Sequence, residues 1–172
     1  MLIILGGLAG VGKTSIGREL ALQLAAVYVR IDSIEQAMRD SAAVRESLDD
    51  AGYRVGYAVA EDNLRLGLTV VADSVNPLQL TRDSWVAAAN RAGARAVEVE
   101  VTCSDVEEHR RRVETRSIDI PGLRLPAWSE VASREYHAWD RGHVAIDTAG
   151  RSVGECVRMV RLALGEARPE KV

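Results

Sequence analysis

The sequence predicts an α/β domain: five short strands in a parallel sheet, flanked by helices. Three observations carry this. Short apolar runs alternate along the chain with stretches of helical periodicity. The first run, Leu2-Ile3-Ile4-Leu5, is apolar at every position, as a strand buried on both faces requires. A glycine-rich octet follows it directly and opens a helix-periodic stretch. Right-handed crossovers then join the strands.

Each element has its own signal. After the octet, Ile16, Leu20 and Leu24 recur at helical spacing within Ser15 to Ala26. Val27 to Ile31 reads as strand two, ending at Asp32-Ser33. Asp32 or Ser33 is expected to cap a helix running to about Asp40. Ala51 to Leu66 is helix-like despite its glycines. Leu68 to Ala72 is strand three, ending at Asp73, and Leu78 to Ala92 is a helix stopped by Gly93. Ala96 to Val101 is strand four. Ser104 and Glu107 have capping-box spacing at the start of a helix that carries Arg110, Arg111, Arg112 and Arg116. Ser117 to Pro126 is a loop and Trp128 to Trp139 a helix. His143 to Ile146 is strand five, ending at Asp147, and Ser152 to Leu164 closes the chain as a helix.

The octet Gly7 to Thr14 fits G-x-x-x-x-G-K-[ST], in the strand–loop–helix context that makes the pattern meaningful. Gly7, Gly10 and Gly12 let the backbone approach a ligand without an intervening Cβ. The loop amides, with those of Val11 and Ser15 counted among them, can converge on phosphate oxygens beside the positive end of the following helix. Lys13 would serve the β- and γ-phosphates and Thr14 a Mg²⁺ ion. The chain has 22 basic residues, and only Lys13 and Lys171 are lysines. A lysine in this loop therefore stands out against an arginine background.

With 172 residues and 47% hydrophobic content, the chain has enough material for one sizeable core. A net charge of −3 argues against bulk binding to nucleic acid or an anionic membrane. Cys103 and Cys156 have no metal-ligand spacing and suit free thiols in a reducing cytoplasm. No apolar stretch reaches about 18 residues, the length of a membrane-spanning helix. The octet's early position is expected to leave no room for a signal peptide.

In parallel sheets ligands sit at the carboxyl ends of strands, where Asp32, Asp73 and Asp147 fall. Asp32 is the candidate to accept a proton from a substrate hydroxyl or to orient it; its alternative is a helix cap. Asp73 is the candidate to hold Mg²⁺ or its water; its alternative is a loop cap beside Asn76-Pro77. Arg112 and Arg116 are four apart and would share a helix face leading into a mobile lid, expected at about residues 110–128. Arg110 and Arg111 read as solvated partners of nearby glutamates. Asp119-Ile-Pro-Gly and Asp147-Thr-Ala-Gly both match D-x-x-G, but no N-K-x-D follows, which excludes a GTPase reading. The later segment is expected beside the adenine. His109, His137 and His143 read as structural or surface residues. Trp85 reads as core; Trp128, Tyr136 and Trp139 flank the lid.

The octet, the aspartate after strand two, the Val-Val-Ala-Asp-Ser-Val-Asn segment and the Arg-Arg-Val-Glu-Thr-Arg helix together resemble the small P-loop kinases. These include chloramphenicol phosphotransferase, the kinase domain of polynucleotide kinase, gluconate and shikimate kinases, and bacterial proteins described as predicted kinases or AAA-family ATPases. The resemblance spans nearly the whole chain as a single domain, residues 1–172. It implies a P-loop NTPase fold with strand order 2-3-1-4-5, ATP and Mg²⁺ as cofactors, Asp32 as acceptor-activating residue and Arg112 and Arg116 as lid residues. It implies transfer of the γ-phosphoryl group to a hydroxyl of a small molecule. Two alternatives remain: a 5′-hydroxyl polynucleotide kinase, and a nucleotide-dependent switch with slow ATPase activity. Residues 40–66 and the Asp119 to Trp128 segment match no acceptor site, so the acceptor stays open.

Overall fold

The computed structural model describes residues 1–41 and 48–165. Lys171 and part of the 40–66 segment lie outside them. The elements run β1 (Leu2–Gly6), α1 (Lys13–Gln23), β2 (Val27–Arg30), α2 (Ile31–Asp40), α3 (Ala51–Arg65), β3 (Val70–Asp73), α4 (Gln79–Arg91), β4 (Ala96–Thr102), α5 (Val106–Thr115), α6 (Trp128–Ala132), β5 (Val144–Asp147) and α7 (Val153–Leu164). The strands form one parallel sheet in the order β2-β3-β1-β4-β5. This is the P-loop NTPase topology that the sequence led us to expect.

The period-two geometry of β1 divides the core in two. Ile3 and Leu5 pack with Ile16 and Leu20 of α1 and Val157 and Val160 of α7 on one face. Leu2 and Ile4 pack with Leu64 of α3 and Trp85 and Ala89 of α4 on the other. All four β1 residues are fully buried. Burial on both faces is why the run carries no polar residue.

The register lines up the carboxyl edge. Leu5 pairs with Asp73, and Asp73 pairs with Arg30. Two charged side chains are thereby set side by side next to the start of the glycine loop.

Three differences from the sequence reading go beyond a shift of a few residues at an element's end. Strand two stops at Arg30, so Asp32 lies in the first turn of α2; neither Asp32 nor Ser33 caps that helix, whose N-cap is Arg30. The cap of α5 is Asp105, which accepts from the Glu108 amide, and not Ser104. Ser104 instead donates to Asp147 at 2.6 Å. The helix expected over Trp128 to Trp139 ends at Ala132. Beyond it the backbone bonds to other elements. Arg82, 1% exposed, donates to His137 O and Ala138 O at 3.2 Å each, and the His137 amide donates to Pro77 O at 2.8 Å. A buried guanidinium must find acceptors, and this one takes them from the segment in which the sequence predicts more helix.

Asn76 joins the sheet to α4. It is fully buried and sits at φ 49° in the left-handed region that asparagine tolerates. Its side chain donates to Leu5 O at 2.8 Å and accepts from Trp85 Nε1 at 3.1 Å. Asn76→Ala would orphan both groups in the interior. We expect it to cost roughly 2–4 kcal/mol in urea unfolding, whereas loss of an exposed contact would stay under about 0.5 kcal/mol.

Candidate functional site

The glycine loop between β1 and α1 is shaped by contacts a side chain would break. A Cβ on Gly7, at φ 137°, would lie 2.1 Å from Val101 O. A Cβ on Gly10, at φ 86°, would lie 2.4 Å from a methyl of Val113. The loop thus nests against β4 and α5, and the Gly7 amide donates to Val75 O at 3.0 Å. His109 braces it from α5, with Nε2 2.8 Å from Ala9 O.

Lys13 is 7% exposed and donates to Leu8 O at 2.8 Å, closing the loop on itself. Burial pushes its pKa below the usual lysine value; Asp73 and Asp32 oppose this, while Arg116 and Arg134 add to it. Asp73, 3% exposed, accepts from the Thr14 hydroxyl at 2.7 Å and from the Tyr28 hydroxyl at 2.6 Å, both on Oδ2. Asp73 is therefore no loop cap. With Thr14 it forms a pair of hard oxygen donors of the kind that suits Mg²⁺. Among the described residues there is no cluster of three or more His, Cys, Asp or Glu side chains able to hold a metal by itself. An ion at this pair would draw its other ligands from phosphate and water.

A cavity of about 660 Å³ opens beside the loop. Gly10, Gly12, Thr14 and Ser15 line its floor, and Arg30, Arg112 and Arg116 its walls. The structure separates the two candidate lid arginines. Arg112, on α5, donates to Thr148 Oγ1 at 2.8 Å, Thr148 O at 3.1 Å and Glu108 at 2.5 Å. The Thr148 hydroxyl in turn lies 2.9 Å from Val11 O. Arg116 is the C-cap residue, just past the helix, so the two do not share a regular helical face. Its Nε and Nη2 are buried without a partner among the described residues. Burial pushes its pKa down, Asp32 opposes this, and Arg30 adds to it. An unpaired buried guanidinium is costly; one facing a cavity beside a phosphate-type loop suits an incoming anion.

Asp32 is half exposed and lies 3.6 Å from Arg30. It does not line the cavity wall itself, but its charge reaches both Lys13 and Arg116. Arg110 pairs with Glu114 in solvent, as its position suggested. His137 and His143 pair with Glu135 and Glu100 away from the loop.

Sequence reasoning missed Arg30, Tyr28 and Asp119. Arg30 is 8% exposed and meets Asp119 through Nη1 at 2.6 Å and Nη2 at 3.2 Å. Arg18 of α1 reaches the same Asp119 oxygen at 2.6 Å. A charged residue closing an apolar strand was the available signal for Arg30. Asp119 was visible only inside a rejected D-x-x-G match.

The hydrogen bond from Arg30 holds the Asp119 carboxyl below the usual aspartate range against the opposing effect of burial, with Arg18 adding to it. A carboxyl with a lowered folded-state pKa contributes stability that is whole above the ordinary aspartate value and fades as pH falls through the lowered one. Wild type and Asp119→Asn should therefore differ in urea midpoint at neutral pH. The gap should close only as the pH drops below about 4.

Solved structures of other proteins share this fold. The structure matches APS kinase of Mycobacterium tuberculosis in complex with AMPPNP and APS, at 20% identity, TM-score 0.70, covering 96% of this chain and 97% of that one. It matches Kti12 of Chaetomium thermophilum in complex with ADP-AlF3, at 22% identity, TM-score 0.68, covering 98% and 100%. It matches a gluconokinase of Sinorhizobium meliloti, at 19% identity, TM-score 0.56, covering 95% and 93%. At these identities the likeness is one of fold. No curated protein matches in sequence. A family model described as an AAA domain matches residues 2–121, well over half the chain and all of the loop, Asp32, Asp73, Arg112 and Arg116; the chain belongs to that AAA-domain family of P-loop proteins.

Proposed function

We propose that the protein is an ATP-dependent kinase that moves the γ-phosphoryl group of ATP to a hydroxyl of a small-molecule acceptor. The observation that carries this reading is Arg116. Arg116 lines the cavity that the glycine loop floors, two of its guanidinium nitrogens are buried without a partner among the described residues, and its charge is felt by Lys13. A static phosphate-binding fold needs the loop alone; a second, preorganised cation opposite it suits charge that moves during transfer.

The roles follow from the geometry. The loop amides and the N-terminus of α1 cradle the β- and γ-phosphates, and Lys13 leaves Leu8 O to meet them. Thr14 and Asp73 would hold Mg²⁺, which when bound neutralises charge on the phosphates. Tyr28 keeps the Asp73 carboxylate from turning away. Asp32 accepts the proton of the acceptor hydroxyl, or orients it, from the first turn of α2. Arg112 keeps Thr148 against the loop and so shapes the nucleotide end of the cavity. No helix among the described residues is long and apolar enough to cross a membrane.

The first test is nucleotide binding. ATP with Mg²⁺ should raise the melting temperature of the wild type and leave that of Lys13→Ala unchanged. Equal stabilisation of both would remove the loop from the argument. Asp32→Asn should keep the stabilisation and lose acceptor-dependent ADP release by on the order of a hundredfold. Loss of ATP binding in that variant would reassign the residue.

Arg116→Ala should lower kcat with little change in ATP affinity, a loss on the order of 3 kcal/mol of barrier for one preorganised donor. Arg116→Lys should do nearly as much damage, because an ammonium lacks the guanidinium fork. Arg110→Ala should be silent. Equal small effects at both positions in steady-state kinetics would make Arg116 a surface charge only.

A further inference from the structure

We propose that the acceptor carries an anionic group, a carboxylate or a phosphate or sulfate ester, and that this group binds Arg30 in the place now taken by the Asp119 carboxylate. This rests on the kinase reading above and adds the chemistry of the acceptor.

Arg30 is a buried cation with a borrowed partner. It closes β2, is 8% exposed and lines the cavity. Its two terminal nitrogens take Asp119, while its Nε is buried with no partner among the described residues. Asp73 in the neighbouring strand and Asp32 at 3.6 Å act on its charge from a distance, but the two-pronged hydrogen bonding goes to Asp119. The carboxylate it uses comes from a loop outside any helix or strand, is 34% exposed, and is shared with Arg18 on the same oxygen. Two guanidiniums therefore converge on one carboxylate, and Arg116 stands near enough for Arg30 to depress its pKa. This corner is rich in positive charge.

Neither a guanidinium this deeply buried nor its forked donor set tolerates being left alone. If the loop carrying Asp119 moves to admit an acceptor, another anion must replace that carboxylate. A planar or tetrahedral oxyanion presents two oxygens to the fork as Asp119 does. Arg30 also lies 3.6 Å from Asp32. A molecule whose hydroxyl faces Asp32 therefore has its anionic group only a few bonds away. A neutral polyol would leave the Arg30 fork without the paired charged acceptor that Asp119 gives it and should be disfavoured for that reason.

The test uses probe pairs matched in hydroxyls but not in charge: D-glycerate and glycerol 3-phosphate against glycerol, and D-gluconate against sorbitol. ADP release with ATP and Mg²⁺ is measured for the whole protein, for Arg30→Gln and for Asp119→Asn. Thermal stabilisation by each probe is measured with a non-hydrolysable ATP analogue bound, so that the glycine loop is already filled. Acidic probes should act and neutral ones should not. Arg30→Gln should erase the difference. Asp119→Asn should lower the KM of the acidic probe by on the order of tenfold, the worth of one charge-assisted contact no longer contested. If Arg30→Gln fails to fold, Asp119→Asn decides alone: an unchanged or higher KM means that Asp119 is a permanent strut and overturns the proposal. Equal stimulation by neutral and acidic probes overturns it and leaves the kinase reading standing. Stabilisation by acids that depends on Arg30 but brings no ADP release upholds the anion site and removes the kinase reading. No stabilisation by any acidic probe overturns the site whatever the turnover. The carboxylate and phosphate arms tell which anion fits.

Discussion

One carboxylate oxygen organises this molecule. Asp73 Oδ2 accepts the hydroxyl of Thr14 from α1 and that of Tyr28 from β2. Through that atom the glycine loop's helix, the edge strand and β3 are held in one arrangement at the carboxyl end of the sheet. The bond is short-range, but it depends on a long-range condition: the parallel register that sets Leu5, Asp73 and Arg30 in one row. A slip of one residue would turn each of these side chains to the opposite face. The burial of β1 on both sides fixes that register, so the apolar core and the polar site have a common origin.

Around that point the site gathers charges of both signs. Lys13, Arg30 and Arg116 are all withdrawn from water, and the acids near them are Asp32, Asp73 and Asp119. Such a cluster is destabilising in the absence of an anion and stabilised by one. Burial is what lowers the pKa of Lys13 and of Arg116, against the pull of the nearby carboxylates. Arginine is the cation that tolerates it, since it remains charged where a lysine would lose its proton.

The sheet, its flanking helices and the glycine loop were legible because their signals are local. Leu2 to Leu5 and the spacing of Ile16, Leu20 and Leu24 declare their elements without reference to anything distant. Asp73 was legible because it ends a strand. The role of Tyr28 was not, since it exists only through pairing with β3. The partnership of Arg30 with Asp119 joins residues 89 apart in sequence, and no periodicity announces such a contact. Arg112 and Arg116 looked equivalent by spacing; a helix that ends at Thr115 made them different. The stretch after Ala132 has good helical composition, yet its carbonyls at 137 and 138 bind a buried arginine on another helix, a contact no local pattern announces.

The bracing of the glycine loop has a mechanical consequence. His109 holds Ala9, and Arg112 holds Thr148, which touches Val11. Helix α5 is thereby clasped to the nucleotide end of the cavity at two successive turns. It cannot swing without prying the loop open. Any rigid-body closure has to pivot after those clasps, at Arg116, where the backbone leaves the helix at ψ 141°. The moving arm is then the stretch beyond Arg116, carrying Asp119 at its near end, while α5 stays behind as the fixed jaw.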